Sequence, residues 1–190
     1  MHRQARLNDA TALAQLVNMA GEGLPHYLWS KLAADGEDPW EVGRQRAQRD
    51  EGSFSYRNAI VREVDGQVVA ALISYALAGE AEPANYDDMP PMFVPLQQLE
   101  DLAPGTWYVN VLATLPEHRG KGIGTELLAE ARRQAVAASC KGLSIIVSDG
   151  NPGAVRLYER TGYTAVASRP MVTEDWQSPG QNWILLTRPV

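Results

Sequence analysis

V-N-V-L-A-T-L-P-E-H-R-G-K-G-I-G-T-E-L-L, Val109 to Leu128, reads as a strand, a glycine-rich turn and the first turns of a helix. Thr106 to Leu112 is rich in aromatic and branched residues that favour strands. Pro116 ends the strand, because it has no N–H for the ladder. Ile123, Leu127, Ala131 and Ala135 then recur every four residues, on one face of a helix. Between strand and helix lies Arg119-Gly120-Lys121-Gly122-Ile123-Gly124. Glycines at three alternate positions leave backbone N–H groups uncovered at a helix N-terminus, which carries roughly half a positive charge. Bare amides and a positive dipole suit an anion, most naturally a phosphate, and Arg119 and Lys121 add formal charge.

Three phosphate-binding patterns compete for this loop. A P-loop requires G-x-x-x-x-G-K-[ST]; Leu115 replaces its first Gly and Gly122 follows Lys121, so this pattern is rejected. A dinucleotide-binding G-x-G-x-x-G fits Gly120 and Gly122, but Thr125 stands at the third position. Asp149, at the end of the next expected strand, falls close to where a ribose-binding acid would lie, yet the unit begins past the middle of the chain. The third pattern is R-x-x-G-x-G, carried by Arg119, Gly122 and Gly124. A glycine turn with no ligand is the bland alternative.

At 190 residues the chain is long enough for one domain with a sizeable core, and a single domain over 1–190 is expected. A net charge of −6 argues against non-specific nucleic-acid binding, which needs basic surface. The single Cys140 excludes an intrachain disulfide and suggests a reducing compartment. The longest clear apolar run, Val68 to Ile73, is far short of a membrane span, and the first ten residues lack a signal-peptide core. A cytoplasmic protein with no membrane or nucleic-acid partner is expected.

Gln4 to Leu7 reads as a short first strand. Asp9 can cap a helix that buries Leu13, Leu16, Val17 and Ala20. A second helix starts at Pro25, and a third at Asp38-Pro39-Trp40-Glu41, with Asp as cap and Glu three residues on. Phe54 to Val64 and Gln67 to Leu77 form a hairpin about Asp65-Gly66. Residues 78–105 break the pattern with five prolines and the acids Glu80, Glu82, Asp87, Asp88, Glu100 and Asp101. We read them as an insertion near the acceptor site, with a short helix near Pro95 to Leu102. Gly142 to Val147 is a buried strand, Asn151-Pro152 opens a helix that Gly162 stops, and strands near Tyr163 to Ser168 and Trp183 to Arg188 finish the chain. The order is that of an α/β (α+β) fold with a mixed sheet and helices on both faces.

Asn151-Pro152-Gly153-Ala154-Val155-Arg156-Leu157-Tyr158-Glu159-Arg160-Thr161-Gly162-Tyr163 supplies a second motif, one helix and one strand after the glycine loop. With R-G-K-G-I-G and the preceding L-A-T-L-P-E-H, it resembles the paired motifs of the GNAT superfamily of N-acetyltransferases over Val109 to Tyr163. The resemblance implies a mostly antiparallel sheet of about six to seven strands, with a splayed central pair. It implies acetyl-CoA as acyl donor. The backbone of Arg119, Gly120, Lys121, Gly122, Gly124 and Thr125 would hold its pyrophosphate; Leu112 and Thr114 would pair with the pantetheine arm. Asn151 would hold the cofactor from the other side.

The same resemblance assigns the oxyanion donor to the backbone N–H of Leu112 and the general acid to Tyr158. A phenol and an alkyl thiol both ionise near ~10, so proton transfer between them is nearly balanced. On a helix Tyr158 shares a side with Asn151 and Ala154. Tyr158 as a half-buried packing residue is the structural alternative. Some family members place a Glu early in the central strand as base; here that position is Tyr108. Glu22, Glu63, Asp88 and Tyr75 are possible substitutes, each also explicable as ordinary surface or packing. Glu22, Tyr75 and Tyr108 are expected at the acceptor side, where the acids of 78–101 favour a cationic amine. His118 is expected to face solvent, and Trp29, Trp40 and Trp107 to form core or pocket wall. The acceptor is a small-molecule amine or a protein amino group; family members often form homodimers. Two further readings stay open: an acyl-CoA-binding sensor without catalysis, and a nucleotide-binding module resting on the partial G-x-G and Asp149.

Overall fold

The computed structural model describes residues 1–80 and 85–190. Glu82, one of the insertion's acids, therefore lies outside the described residues. The strands are β1 (His2–Gln4), β2 (Ala59–Val64), β3 (Gln67–Ala76), β4 (Thr106–Thr114), β5 (Gly142–Ser148), β6 (Thr164–Pro170) and β7 (Asn182–Pro189). The helices are α1 (Ala10–Ala20), α2 (Leu24–Leu32), α3 (Pro39–Ala47), α4 (Val94–Glu100), α5 (Ile123–Ala137) and α6 (Pro152–Arg160). Strand order is β1-β2-β3-β4-β5-β7-β6. β1–β2, β2–β3, β5–β7 and β6–β7 pair antiparallel, and β4–β5 is parallel. This mixed, mostly antiparallel sheet of seven strands falls within the six to seven that the family resemblance implies.

The chain divides into two compact units. The first comprises Met1–Ser74 with Asn110–Leu128. Its hairpin turns at Asp65 (φ 50°) and Gly66 (φ 80°), two consecutive left-handed residues that match the twist of the flanking strands. Val69 to Ile73 on β3 are all 0 % exposed, as a continuously apolar strand requires. Leu13, Leu16 and Val17 of α1 pack in one cluster with Val61, Ala71, Ile73, Val111 and Ala113. Burying each such Leu is worth roughly 1.5–3 kcal/mol. Trp29 stacks on Phe54 within the core and meets edge-on Trp40, which is partly buried and packs against that core. Asp38 caps α3 by accepting the Trp40 N–H at 3.0 Å.

Two element boundaries in this unit differ from the sequence reading. The strand expected from Phe54 begins only at Ala59, after a 3-10 turn at Tyr56–Asn58. Ser55 causes this: its hydroxyl donates to the Arg49 carbonyl and accepts the Arg57 N–H at 3.1 Å. The first strand is His2–Gln4 rather than Gln4 to Leu7, because the Asp9 carboxylate takes the Arg6 N–H at 2.7 Å and folds Leu7–Asp9 into a 3-10 turn.

The second unit comprises Tyr75–Val109 with Ala129–Val190. β5 and β7 pair from Gly142↔Pro189 to Ser148↔Trp183. The parallel pairing of β4 with β5 covers only Thr106↔Gly142 to Val109↔Ile145. α4 packs on β5, β6 and β7. Thr106 secures the chain after α4: its hydroxyl donates to the Ala103 carbonyl and shares a 2.7 Å hydrogen bond with Ser144, both hydroxyls buried. α6 ends where Gly162 takes φ 91°.

Candidate functional site

In the first unit, Leu112 and Thr114 are half-buried residues of β4. A 3-10 turn at Pro116–His118 follows. The Arg119 N–H closes that turn on the Pro116 carbonyl at 3.2 Å, and its Nε donates to the Thr114 carbonyl at 3.0 Å. The Arg119 side chain thus binds the loop back to the strand end rather than reaching out as a free cation. Gly120 (φ 72°) and Gly122 (φ 80°) are left-handed, and a Cβ on either would meet nothing within 4 Å. These glycines are required by backbone conformation, and the space beside them is open. The N–H groups of Gly120, Lys121 and Gly122 make no hydrogen bond among the described residues. The Glu126 N–H bonds the Gly122 carbonyl at 3.0 Å, so the amides of Ile123, Gly124 and Thr125 precede that first turn of α5. Several amides at the head of a 15-residue helix can hold an anion together. Lys121 and Thr125 are exposed. His118, expected to face solvent, is half-buried at the end of the 3-10 turn. Glu22 also belongs to this unit, half-buried and left-handed (φ 54°) between α1 and α2.

The second unit gathers the aromatic candidates. Tyr75 and Tyr108 meet edge-on, ring centroids 5.7 Å apart and planes at 72°. Tyr158 on α6 is 5 % exposed and tilts against Tyr163 at 5.9 Å. Burial, with Tyr163 nearby, holds the Tyr158 phenol well above its ordinary range. The near balance with a thiol drawn from reference values therefore does not hold for the free protein. Asn151 is half-buried, and its Oδ1 accepts the Ala154 N–H at 3.1 Å as the cap of α6. Trp107 is half-buried, with an Nε1 that is buried and has no hydrogen-bond partner among the described residues.

Two of the possible bases are occupied. The Glu63 carboxylate pairs with Arg3 at 2.8 Å, and the same guanidinium holds Asp9 at 2.7 Å. Asp88 accepts from the Asn85 amide. Sequence reasoning placed Glu100 only among the insertion's acids; at the end of α4 it is half-buried, and desolvation, reinforced by Asp101, pushes its carboxyl up to about 7. No run of residues marks it, since its burial depends on how α4 docks.

Asp149 is spent on structure. Its carboxylate accepts the N–H groups of Gln181 and Asn182 and the Asn182 Nδ2, joining β5 to β7. That removes the acid on which a dinucleotide reading rested.

Residues 26–163 match the family described as acetyltransferase (GNAT). The chain is 26 % identical over 165 residues to an S-alkylcysteine N-acetyltransferase of Bacillus subtilis, covering 85 % of this chain and 76 % of that protein. It superposes on the N-acetyltransferase from Staphylococcus aureus Mu50 with a TM-score of 0.65 at 20 % identity, covering 98 % of this chain and 99 % of the other. A GNAT-family acetyltransferase of Elizabethkingia anophelis, solved with acetyl-CoA bound, superposes with a TM-score of 0.51 at 17 % identity over 70 % of this chain and 75 % of that one. No described helix is long and apolar enough to cross a membrane.

Proposed function

The chain belongs to the acetyltransferase (GNAT) family, and on that premise we propose that it moves the acetyl group of acetyl-CoA to a primary amine by direct attack. The observation that carries this reading is the loop Arg119 to Thr125, where two left-handed glycines and several unbonded amides head a long helix. The amides of Gly120, Lys121, Gly122, Gly124 and Thr125 would hold the pyrophosphate, with the Arg119 side chain keeping the loop in shape. The backbone of Leu112 and Thr114 would align the pantetheine arm, and Asn151 Nδ2 would donate to it. Bound acetyl-CoA supplies an activated acyl group whose leaving atom is sulfur. The Leu112 N–H would donate to the acyl oxygen as charge builds there. Tyr158, kept protonated by its burial, would give its proton to the departing sulfur.

The acceptor is a primary amine, and the relation to an S-alkylcysteine acetyltransferase favours the α-amino group of a small molecule. Thiol release should be followed with S-methyl-L-cysteine, spermidine and a short peptide with a free N-terminus, for wild type and Tyr158→Phe. We expect at least one amine to turn over and the variant to lose about 10²-fold or more. Equal turnover by both proteins would remove Tyr158 from the mechanism. The second reading, an acyl-CoA-binding sensor, is favoured by Tyr108 standing where some family members carry a carboxylate; acetyl-CoA binding without transfer to any amine would support it.

A further inference from the structure

We propose that Arg188, near the end of β7, is a positioning residue for Tyr158: it clasps the C-terminal end of α6 and braces the Tyr163 ring against which the Tyr158 ring leans. The inference rests on the acetyl-transfer reading above, in which Tyr158 protonates the departing sulfur.

β7 holds α6 at both ends. At the start, the Asp149 carboxylate takes the N–H groups of Gln181 and Asn182 at 2.8 and 3.1 Å, and the Asp149 N–H donates to the Asn182 carbonyl at 3.0 Å. The two backbones press together there: a Cβ on Gly150 would lie 2.5 Å from the Gly180 nitrogen and 2.6 Å from the Pro179 carbonyl carbon. With the Asn151 cap, this contact fixes the entry to α6. At the far end, Arg188 Nη1 donates to the carbonyl of Thr161, the residue that closes the helix. The last turn of a helix ends in carbonyls it cannot satisfy itself. A guanidinium bonds one of them and also faces the negative end of the helix dipole. Tyr158 is the third residue from that end, so its place depends on the second clasp.

Two short routes join the clasp to Tyr158. Through the backbone, the Tyr158 carbonyl accepts the Thr161 and Tyr163 N–H groups, each at 3.0 Å, and the Thr161 hydroxyl at 2.9 Å. Through the rings, Arg188 Cζ lies 5.7 Å from the Tyr163 ring centroid, and the Tyr163 and Tyr158 centroids are 5.9 Å apart with planes at 60°. The guanidinium sits directly on the helix stop, since a Cβ on Gly162 would meet Arg188 Cζ at 3.7 Å.

The unbonded atoms show which parts of this cluster act. Arg188 Nε is buried with no hydrogen-bond partner, and among the described residues no carboxylate pairs with Arg188. Its guanidinium is therefore committed to a helix end and a ring, not to an ion pair. Tyr163 is 2 % exposed, and its hydroxyl is likewise buried without a partner. A buried hydroxyl left unbonded costs stability. The useful part of Tyr163 is its ring, which fills the space between Arg188 and Tyr158.

The test is a double-mutant cycle between Arg188→Met and Tyr158→Phe, using whichever of S-methyl-L-cysteine, spermidine and the peptide turns over fastest. Acetyl-CoA affinity is measured by calorimetry in each protein. A misplaced proton donor slows transfer without weakening the cofactor's hold, so Arg188→Met should lower kcat by about 10-fold or more at unchanged acetyl-CoA affinity. In Tyr158→Phe protein the same substitution should lower kcat by about twofold or less, because the group it positions is gone. Arg188→Lys keeps a donor for Thr161 but not the flat guanidinium, and should recover part of the rate. It replaces Arg188→Met in the cycle if that variant does not fold. Tyr163→Phe keeps the ring and should retain the rate, whereas Tyr163→Leu should lose it as Arg188→Met does. An Arg188 that only stabilised the fold would reduce the folded fraction, and so the rate, by the same factor in both backgrounds. That result, an unchanged kcat, or a loss in Tyr163→Phe equal to that in Tyr163→Leu would overturn the inference and leave acetyl transfer intact. Acetyl-CoA binding by wild type with transfer to none of the three amines would overturn both.

Discussion

Asn151 holds the Ala154 N–H at 3.1 Å, and Tyr158 stands one further turn along the helix that this bond begins. The cap thus fixes where α6 starts and, with it, the height at which the phenol sits. Asn151→Ala should cost about 1 kcal/mol, seen as a melting temperature lower by about 2–4 °C. Asn151→Ser keeps an oxygen for the cap and removes the amide. It should restore the melting temperature but not acetyl-CoA affinity, if Nδ2 binds the cofactor. Full recovery of affinity by Ser would assign Asn151 to the cap alone.

Gly124 is the cleaner probe of the loop. Gly122 sits at φ 80°, where a β-branched side chain is strained whatever the space, so Gly122→Val mixes backbone strain with loss of the site. Gly124 lies within α5 and has no left-handed requirement. Gly124→Val should weaken acetyl-CoA binding by 10-fold or more, by calorimetry, while moving the melting temperature little. Undiminished affinity would show that this amide does not approach the pyrophosphate.

Arg3 bonds both Asp9 and Glu63, and its hydrogen bond is the main reason the Asp9 carboxyl lies below its ordinary value of 3.8. A depressed carboxyl stabilises the fold above its unfolded pKa and loses that contribution as pH falls through the folded one. Arg3→Met should therefore lower the melting temperature at pH 7. The difference from wild type should shrink below pH ~4, where unfolded Asp is protonated. A difference independent of pH between 3 and 7, on the order of the neutral-pH value, would contradict the ion pair's role.

Glu100 carries the opposite sign. Its carboxyl is raised from 4.5 to about 7, so its contribution is whole below the unfolded value and lost as pH rises through the folded one. Above neutrality the folded protein keeps a partly desolvated carboxylate, which destabilises it relative to the unfolded chain. Glu100→Gln should match wild type in stability near pH 4 and exceed it at pH 8. Denaturant titrations at the two pH values check this; a variant less stable at pH 8 would show that the carboxylate is held by interactions other than those described.

What the sequence made legible were elements fixed by local chemistry. Pro116, the alternate glycines, the Asn151-Pro152 cap and the Gly162 stop each act within a few residues, and β4, α5, β5 and α6 fall where they predict. The Asp65-Gly66 turn is of the same kind. Errors arose where a polar side chain bonded upstream backbone and imposed a turn on a segment whose pattern reads as strand. Ser55 bonding Arg49 turned an apparent strand into a 3-10 turn, and Asp9 bonding Arg6 shortened β1. Glu100 was illegible for a third reason. Its burial comes from the docking of α4 on β5, β6 and β7, which no spacing in the chain encodes. Tyr108 was visible as a missing carboxylate, but its neighbours were not.

Acetyl transfer to nitrogen is tested most directly by its stoichiometry. Purified protein with acetyl-CoA and the best of the three amines should release one thiol for each acetamide formed, counted by thiol titration and by mass spectrometry of the amine. Thiol release without an acetylated nitrogen, or no release with any amine despite bound acetyl-CoA, would contradict it.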